Sequence, residues 1–149
     1  MLTTRNDAQI MCFEEAFNIL CGELIGEGIS RKVFRCRTNP DLVVKVETDE
    51  YSRFANVSEF QFWQDNAYNA RVSDWLASCK LISPNGRVLV QEYCRPANDS
   101  EIPDTLPRFI TDLKLSNFGV TKQGKFVCVD YASRIDNPDI RMRKVEFDR

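Results

Sequence analysis

The sequence has no histidine. Ser-His-Asp and Cys-His nucleophilic catalysis are thereby excluded, and a zinc centre loses a principal ligand type. Any chemistry has to run on carboxylates, lysine or a bound metal. Cysteine is present, but without a CxxC pair. Cys12, Cys21, Cys36, Cys79, Cys94 and Cys128 are scattered among mostly apolar neighbours, which points to reduced, buried thiols of a cytoplasmic protein rather than a disulfide framework. No apolar run approaches membrane-spanning length, and the opening MLTTRNDAQIMCFEE is too polar for a signal peptide. An excess of one charge is missing too. With 20 basic and 22 acidic residues, a net charge of −2 and a pI near 5.3, the chain carries no electrostatic footprint for nucleic acid.

What is present suits one soluble domain: 149 residues, 43% hydrophobic and 28% charged. Residues 6–20 have helical spacing at Ile10, Phe13, Phe17 and Leu20, with Asn6 or Asp7 as cap and Gln9 three after Asn6. That apolar face is expected to pack on the sheet that follows. Strands are expected over 21–25, 32–37 and 42–47, a helix over 53–69, and strands over 75–82 and 88–93. Asn85-Gly86 between the last two is a hairpin signal. Lys45 lies inside the apolar run Leu42-Val43-Val44-Lys45-Val46, where a buried ammonium is costly unless an anion meets it. The alternative is a lysine on the solvent face. Glu59, on the apolar side of the expected helix with Phe62 and Trp63, needs a cation if it is buried, and Lys45 is the candidate. Beyond residue 94, Pro96, Pro103 and Pro107 mark loops, with room for at most a short helix near 105–111.

Residues 110–132, ITDLKLSNFGVTKQGKFVCVDYA, place Asp112, Lys114 and Asn117 on one loop. A hairpin with its turn at 122–125 follows, and Asp130 stands at its end. The hairpin brings Asn117 and Asp130 towards each other, and two hard oxygen ligands from neighbouring loops suit Mg²⁺ shared with a phosphate chain. Asp112-Leu113-Lys114-x-x-Asn117 resembles the catalytic loop of protein kinases, and Asp130-Tyr131-Ala132 is similar to their metal-binding D-F-G. Gly26-x-Gly28 followed by Val33 resembles the kinase glycine-rich loop, with Arg31 in place of the third glycine; two glycines also suit a tight turn. VLVQEYC resembles the last strand and hinge of the kinase amino-terminal lobe.

The resemblance implies an α+β fold: an amino-terminal-lobe-like region (1–94) of a five-stranded antiparallel sheet plus an αC-like helix, preceded by an extra helix. A strongly reduced carboxy-terminal lobe (95–149) would retain the catalytic-loop hairpin. It implies ATP and Mg²⁺ as ligands. Gly26, Gly28, Val33, Lys45, Glu59, Glu92 and Cys94 would bind nucleotide, Asn117 and Asp130 would hold metal, and Asp112 and Lys114 would be catalytic. Ile110-Thr111 replaces His-Arg, Tyr131-Ala132 replaces Phe-Gly, and no room remains for an activation segment or a peptide-binding lobe. Two functions follow as expectations. One is an ATP- and Mg²⁺-dependent phosphotransferase of the protein-kinase type, its acceptor hydroxyl presented by a partner or in cis. The other is a pseudokinase-like module that inhibits or scaffolds a partner. A protein partner or self-association is expected where the missing lobe would sit, and reduced proteins of this kind point to a bacterial or viral source.

Overall fold

A computed structural model describes residues 4–48, 54–132 and 135–149, with side chains of the first helix described at 7, 8 and from 11 onward. Helix α1 (Thr4–Leu20) runs directly into β1 (Cys21–Glu27), followed by β2 (Arg31–Cys36) and β3 (Leu42–Glu47). Helix α2 (Ala55–Asn66) and the single turn α3 (Ala70–Ser73) lead to β4 (Cys79–Ile82) and β5 (Val88–Glu92). These strands form one five-stranded antiparallel sheet in the order β1-β2-β3-β5-β4. The hairpin at Asn85-Gly86 turns through Gly86 at φ 74, a backbone region that glycine enters without steric cost.

Alternate residues of β3 point to opposite faces of the sheet, one covered in part by the end of α1 and the other by α2. Val44 packs with Cys21 and Cys36 in a cluster that takes in Phe17 and Leu20 of α1. Phe17 meets Phe34 edge-on at 5.2 Å. The rest of the expected apolar face of α1 does not follow: Phe13 is 63% exposed, Ile10 lies outside the described side chains, and Asn6 and Asp7 fall inside the helix rather than ahead of it. The opposite sheet face, carrying Lys45 and Glu47, lies under α2.

The sequence-based expectations also shift at three places beyond the first sheet hairpins. Of the helix expected over 53–69, Arg53 lies outside the described residues, and α2 ends at Asn66. Asn66 bonds back to the Phe62 carbonyl at 2.9 Å, and Asn69 caps α3 by accepting from the Arg71 amide at 3.3 Å. Two asparagines thus close one helix and open the next. Of the strand expected over 75–82 only Cys79–Ile82 joins the sheet. Trp75 and Ala77 instead exchange main-chain bonds with Cys128, at 2.8 and 2.9 Å. The short helix expected near 105–111 is a strand, β6 (Thr105–Pro107), paired antiparallel with β9 (Met142–Lys144). Its partner comes from the mixed-charge end of the chain, a non-local pairing that no local pattern announces, and Pro107 suits a strand at a sheet edge.

The expected hairpin forms from β7 (Phe118–Val120) and β8 (Phe126–Cys128). It lies against the residues after β5: Arg95 and Val120 exchange main-chain bonds of 3.0 and 2.8 Å. The approach is so close that a Cβ on Gly119 would stand 2.7 Å from Cys94 Cβ. Phe62, Leu76, Leu89, Leu106, Phe118 and Tyr131 belong to one apolar cluster joining helix, sheet and hairpin. Phe147 closes it from the end of the chain, edge-on to Phe118 at 5.2 Å and to Phe126 at 5.6 Å. All six cysteines are free thiols, four of them buried and Cys12 exposed. No helix among the described residues is long and apolar enough to cross a membrane.

Candidate active site

Strand β3 delivers Lys45 to the inner face of the sheet, where its side chain is 4% exposed. The cost of burying the ammonium is met by two acceptors: the Glu59 carboxylate from α2 and the main-chain carbonyl of Val129, just before Asp130. Lys45 therefore links sheet, helix and hairpin, and the solvent-face alternative for it fails. Glu59 is fully buried, so the surface alternative fails for it as well. Besides Lys45 it accepts from Arg31 Nη2 at 3.0 Å, Gln91 Nε2 at 3.0 Å and the Tyr131 amide at 3.1 Å. Burial pushes the Glu59 carboxyl upward, but the charges and hydrogen bonds of Lys45 and Arg31 outweigh it and hold it below the usual carboxylate value.

Arg31 is the residue whose part the sequence did not disclose. Its side chain is 8% exposed, and its guanidinium is shared three ways. Nη1 donates to Asn56 Oδ1 at 3.1 Å, and Nη2 donates to Glu59 Oε2 at 3.0 Å and to Asp130 Oδ1 at 2.8 Å. Asn56 also donates to the Lys45 carbonyl at 3.1 Å, and its amide donates to Glu47 Oε1 at 2.9 Å. Asn56, Gln91 and Tyr131 belong to the same network. The kinase-like motifs name Tyr131 only as the residue in place of Phe and Gln91 only within VLVQEYC, and Asn56 stands outside them. Gln91 carried a readable signal, a polar residue inside the apolar run VLVQE, of the kind that singled out Lys45. Tyr131 is held by its hydroxyl, which donates to the Ala77 carbonyl at 2.6 Å, while its ring packs edge-on against Phe62 at 5.9 Å. The residue after Asp130 is thus anchored beneath α2.

Asn117 lies beside this network through the main chain: the Val129 amide donates to its carbonyl at 2.8 Å. Asp112 and Lys114 are exposed on the loop leading into β7, where the Lys114 amide reaches Asp112 Oδ1 at 3.3 Å. That loop is clamped from the far end of the chain. The Leu115 amide donates to the Asp148 carbonyl and the Asp148 amide to the Leu113 carbonyl, both at 2.8 Å. Gly26, paired with Val33, and Gly28 stand at the tip of the β1–β2 hairpin. A Cβ at either would meet only ordinary contacts, at 3.5 Å from Val33 Cβ and 3.9 Å from the Arg31 carbonyl. At the hinge-like segment the Glu92 and Tyr93 amides are engaged by the Ser78 and Asp41 carbonyls, at 2.9 and 2.8 Å. Cys94 lies next in line, its thiol pushed up to about 12 by burial and by the Glu92 carboxylate.

The donor set for a metal is one carboxylate, Asp130, whose side chain is 54% exposed, and one amide, Asn117. No group of three or more His, Cys, Asp or Glu that could hold a metal exists among the described residues. A carboxylate and an amide oxygen are donors of the type Mg²⁺ takes, which is usually bound by few protein oxygens with the remaining positions filled by phosphate and water.

No family model matches the chain, and no curated protein matches it. Among solved structures it is similar to a streptomycin-ATP-APH(2")-IIa ternary complex, over 59% of this chain and 30% of that one, with 21% identity and a TM-score of 0.42. It is also similar to the co-crystal structure of WbdD and the kinase inhibitor LY294002, over 78% of this chain and 34% of that one, with 12% identity and a TM-score of 0.45. The chain therefore spans about a third of the length of these proteins.

Proposed function

We propose that the protein is an ATP- and Mg²⁺-dependent phosphotransferase of the protein-kinase type. The observation that carries this reading is the buried Lys45–Glu59 ion pair, joined through the Val129 carbonyl to the residue before Asp130. Such a pair places an ammonium, oriented by a carboxylate, at the junction of sheet and hairpin, where nucleotide phosphates would meet it. Gly26 and Gly28 add to this. Their own surroundings do not require glycine, so close approach of a ligand to the main chain supplies a reason for it.

In this reading Lys45 neutralises the phosphates next to the transferred one, and the hinge-like segment at Glu92 to Cys94 takes the base. Asn117 and Asp130 hold a magnesium ion, which supplies further neutralisation of phosphate charge. Asp112 accepts the proton of an acceptor hydroxyl. The hydroxyl oxygen bonds to the γ-phosphorus as the bond to the β,γ-bridging oxygen breaks, and ADP leaves. Lys114 stabilises charge on the transferred group. The work is mostly positioning and charge stabilisation, which this set of side chains can provide.

A second reading has one specific observation in its favour. Asp130 is already paired with a protein cation, Arg31, at 2.8 Å, as suits a pseudokinase-like module that grips a partner without transferring phosphate. Incubation with γ-labelled ATP and Mg²⁺ separates the two. The enzyme reading expects label on this protein or on a co-purifying partner, lost in Asp112→Asn. Transfer undiminished by Asp112→Asn would show the proton acceptor to be misassigned.

A further inference from the structure

We propose that Arg31 is a built-in counter-ion that competes with a divalent cation for Asp130, so that Arg31 sets the metal affinity of the site. This rests on the reading of Asp130 as a metal ligand. Three observations carry it. Arg31 reaches across from the sheet to the hairpin and holds Asp130 Oδ1 at 2.8 Å, which commits that oxygen and places a fixed positive charge beside it. The same guanidinium also holds Asn56 and Glu59. Release of Asp130 therefore leaves Arg31 with two partners in the buried network rather than stranding it, and the contact can open without unmaking the site. Finally, Asp130 is the carboxylate of this network that a cation can reach: Glu47 and Glu59 are buried, whereas the Asp130 side chain is 54% exposed.

The counter-ion therefore acts as a latch. With no metal it keeps Asp130 neutralised and the end of the hairpin fixed to β2. A divalent cation that takes Asp130 must displace a hydrogen-bonded guanidinium, so it binds less tightly than the carboxylate alone would allow. Arg31 is a positioning residue here and takes no part in bond making.

Calorimetric titration of the full chain with Mn²⁺, without nucleotide, tests this in wild type, Arg31→Gln, Asp130→Asn and the double variant. Arg31→Gln is expected to bind Mn²⁺ at least about tenfold tighter than wild type, with that gain lost in the double variant. A second measurement avoids any variant that fails to fold. In ¹⁵N-labelled wild type the Arg31 side-chain Nε–H resonance should move on Mg²⁺ addition, and should not move in Asp130→Asn. Arg31→Gln binding no tighter than wild type, or an Arg31 resonance unmoved at metal saturation, overturns the latch. If in that case Asp130→Asn still abolishes binding, the metal site stands and only the competition falls. Mn²⁺ binding indifferent to Asp130→Asn overturns the metal assignment itself, and the latch with it.

Discussion

Glu59 accepts from Lys45, Arg31, Gln91 and the Tyr131 amide in a place water does not reach. Removing its charge while keeping its shape, as in Glu59→Gln, leaves two buried cations short of their shared carboxylate. Breaking a buried ion pair from one side costs about 3–5 kcal/mol, and urea denaturation should show a loss of that order. The pH dependence has a definite sign. Because the folded carboxyl is held below its ordinary value of 4.5, its contribution is fully present above that value and is lost as the pH falls through the folded one. Acid titration followed by near-UV circular dichroism should therefore find a steeper loss of stability below about pH 4.5 in wild type than in Glu59→Gln. The pairing of Lys45 with Glu59 was legible in the sequence, because a lysine in an apolar strand and a glutamate on an apolar helix face each demand a partner. Arg31 was not legible. Arginine at the start of a strand, between Ser30 and Lys32, carries no local sign that it is buried, and its three partners come from two distant elements.

Among the elements, the hairpin and the end of the chain decide where Asp112, Lys114 and Asn117 sit. Gly119 shows how closely β7 approaches the segment after β5, since a Cβ there would lie 2.7 Å from Cys94 Cβ and 3.0 Å from the Arg95 carbonyl. The carbonyls of Cys94 and Arg95, and a Cβ fixed to that same main chain, leave little room to yield. Gly119→Ala should thus cost about 1–3 kcal/mol by overpacking, measured as a shift in the urea midpoint at unchanged slope. Phe147 is half-buried between Phe118 and Phe126, next to the Asp148 clamp on the loop. Phe147→Ala should cost about 2 kcal/mol, below the range for a fully buried phenylalanine. It should also speed hydrogen exchange of the Leu115 amide, which donates to Asp148. An unchanged exchange rate would show that the clamp does not depend on the ring. Strand β3 could be placed to the residue because its apolar run is continuous, and the hairpin could be expected, without its strand bounds, from the turn residues at 122–125. The β6–β9 pair and the clamp could not, since each joins stretches remote in sequence through main-chain bonds that leave little trace in side-chain pattern.

For the molecule as a whole, the sheet acts as a divider. One face is packed under α1 with apolar residues, while the other keeps Arg31, Lys45, Glu47 and Gln91 buried under α2. A buried polar layer of this kind is costly unless its members are paired. Here three strands and the segment after β8 donate to the one Glu59 carboxylate, while Gln91 Oε1 is left without a hydrogen-bond partner among the described residues. On the proposed function this layer receives a nucleotide with its metal. The most direct test is the melting temperature with and without Mg-ATP, in wild type, Lys45→Met and Asp130→Asn, each compared with its own unliganded form. A ligand of the folded state alone, at a hundred times its dissociation constant, stabilises by about 2.7 kcal/mol, which for this size is an upward shift on the order of 5–10 °C. That shift is expected in wild type and is expected to be lost in both variants. No shift in wild type, or a shift of equal size in all three proteins, would contradict the proposed function.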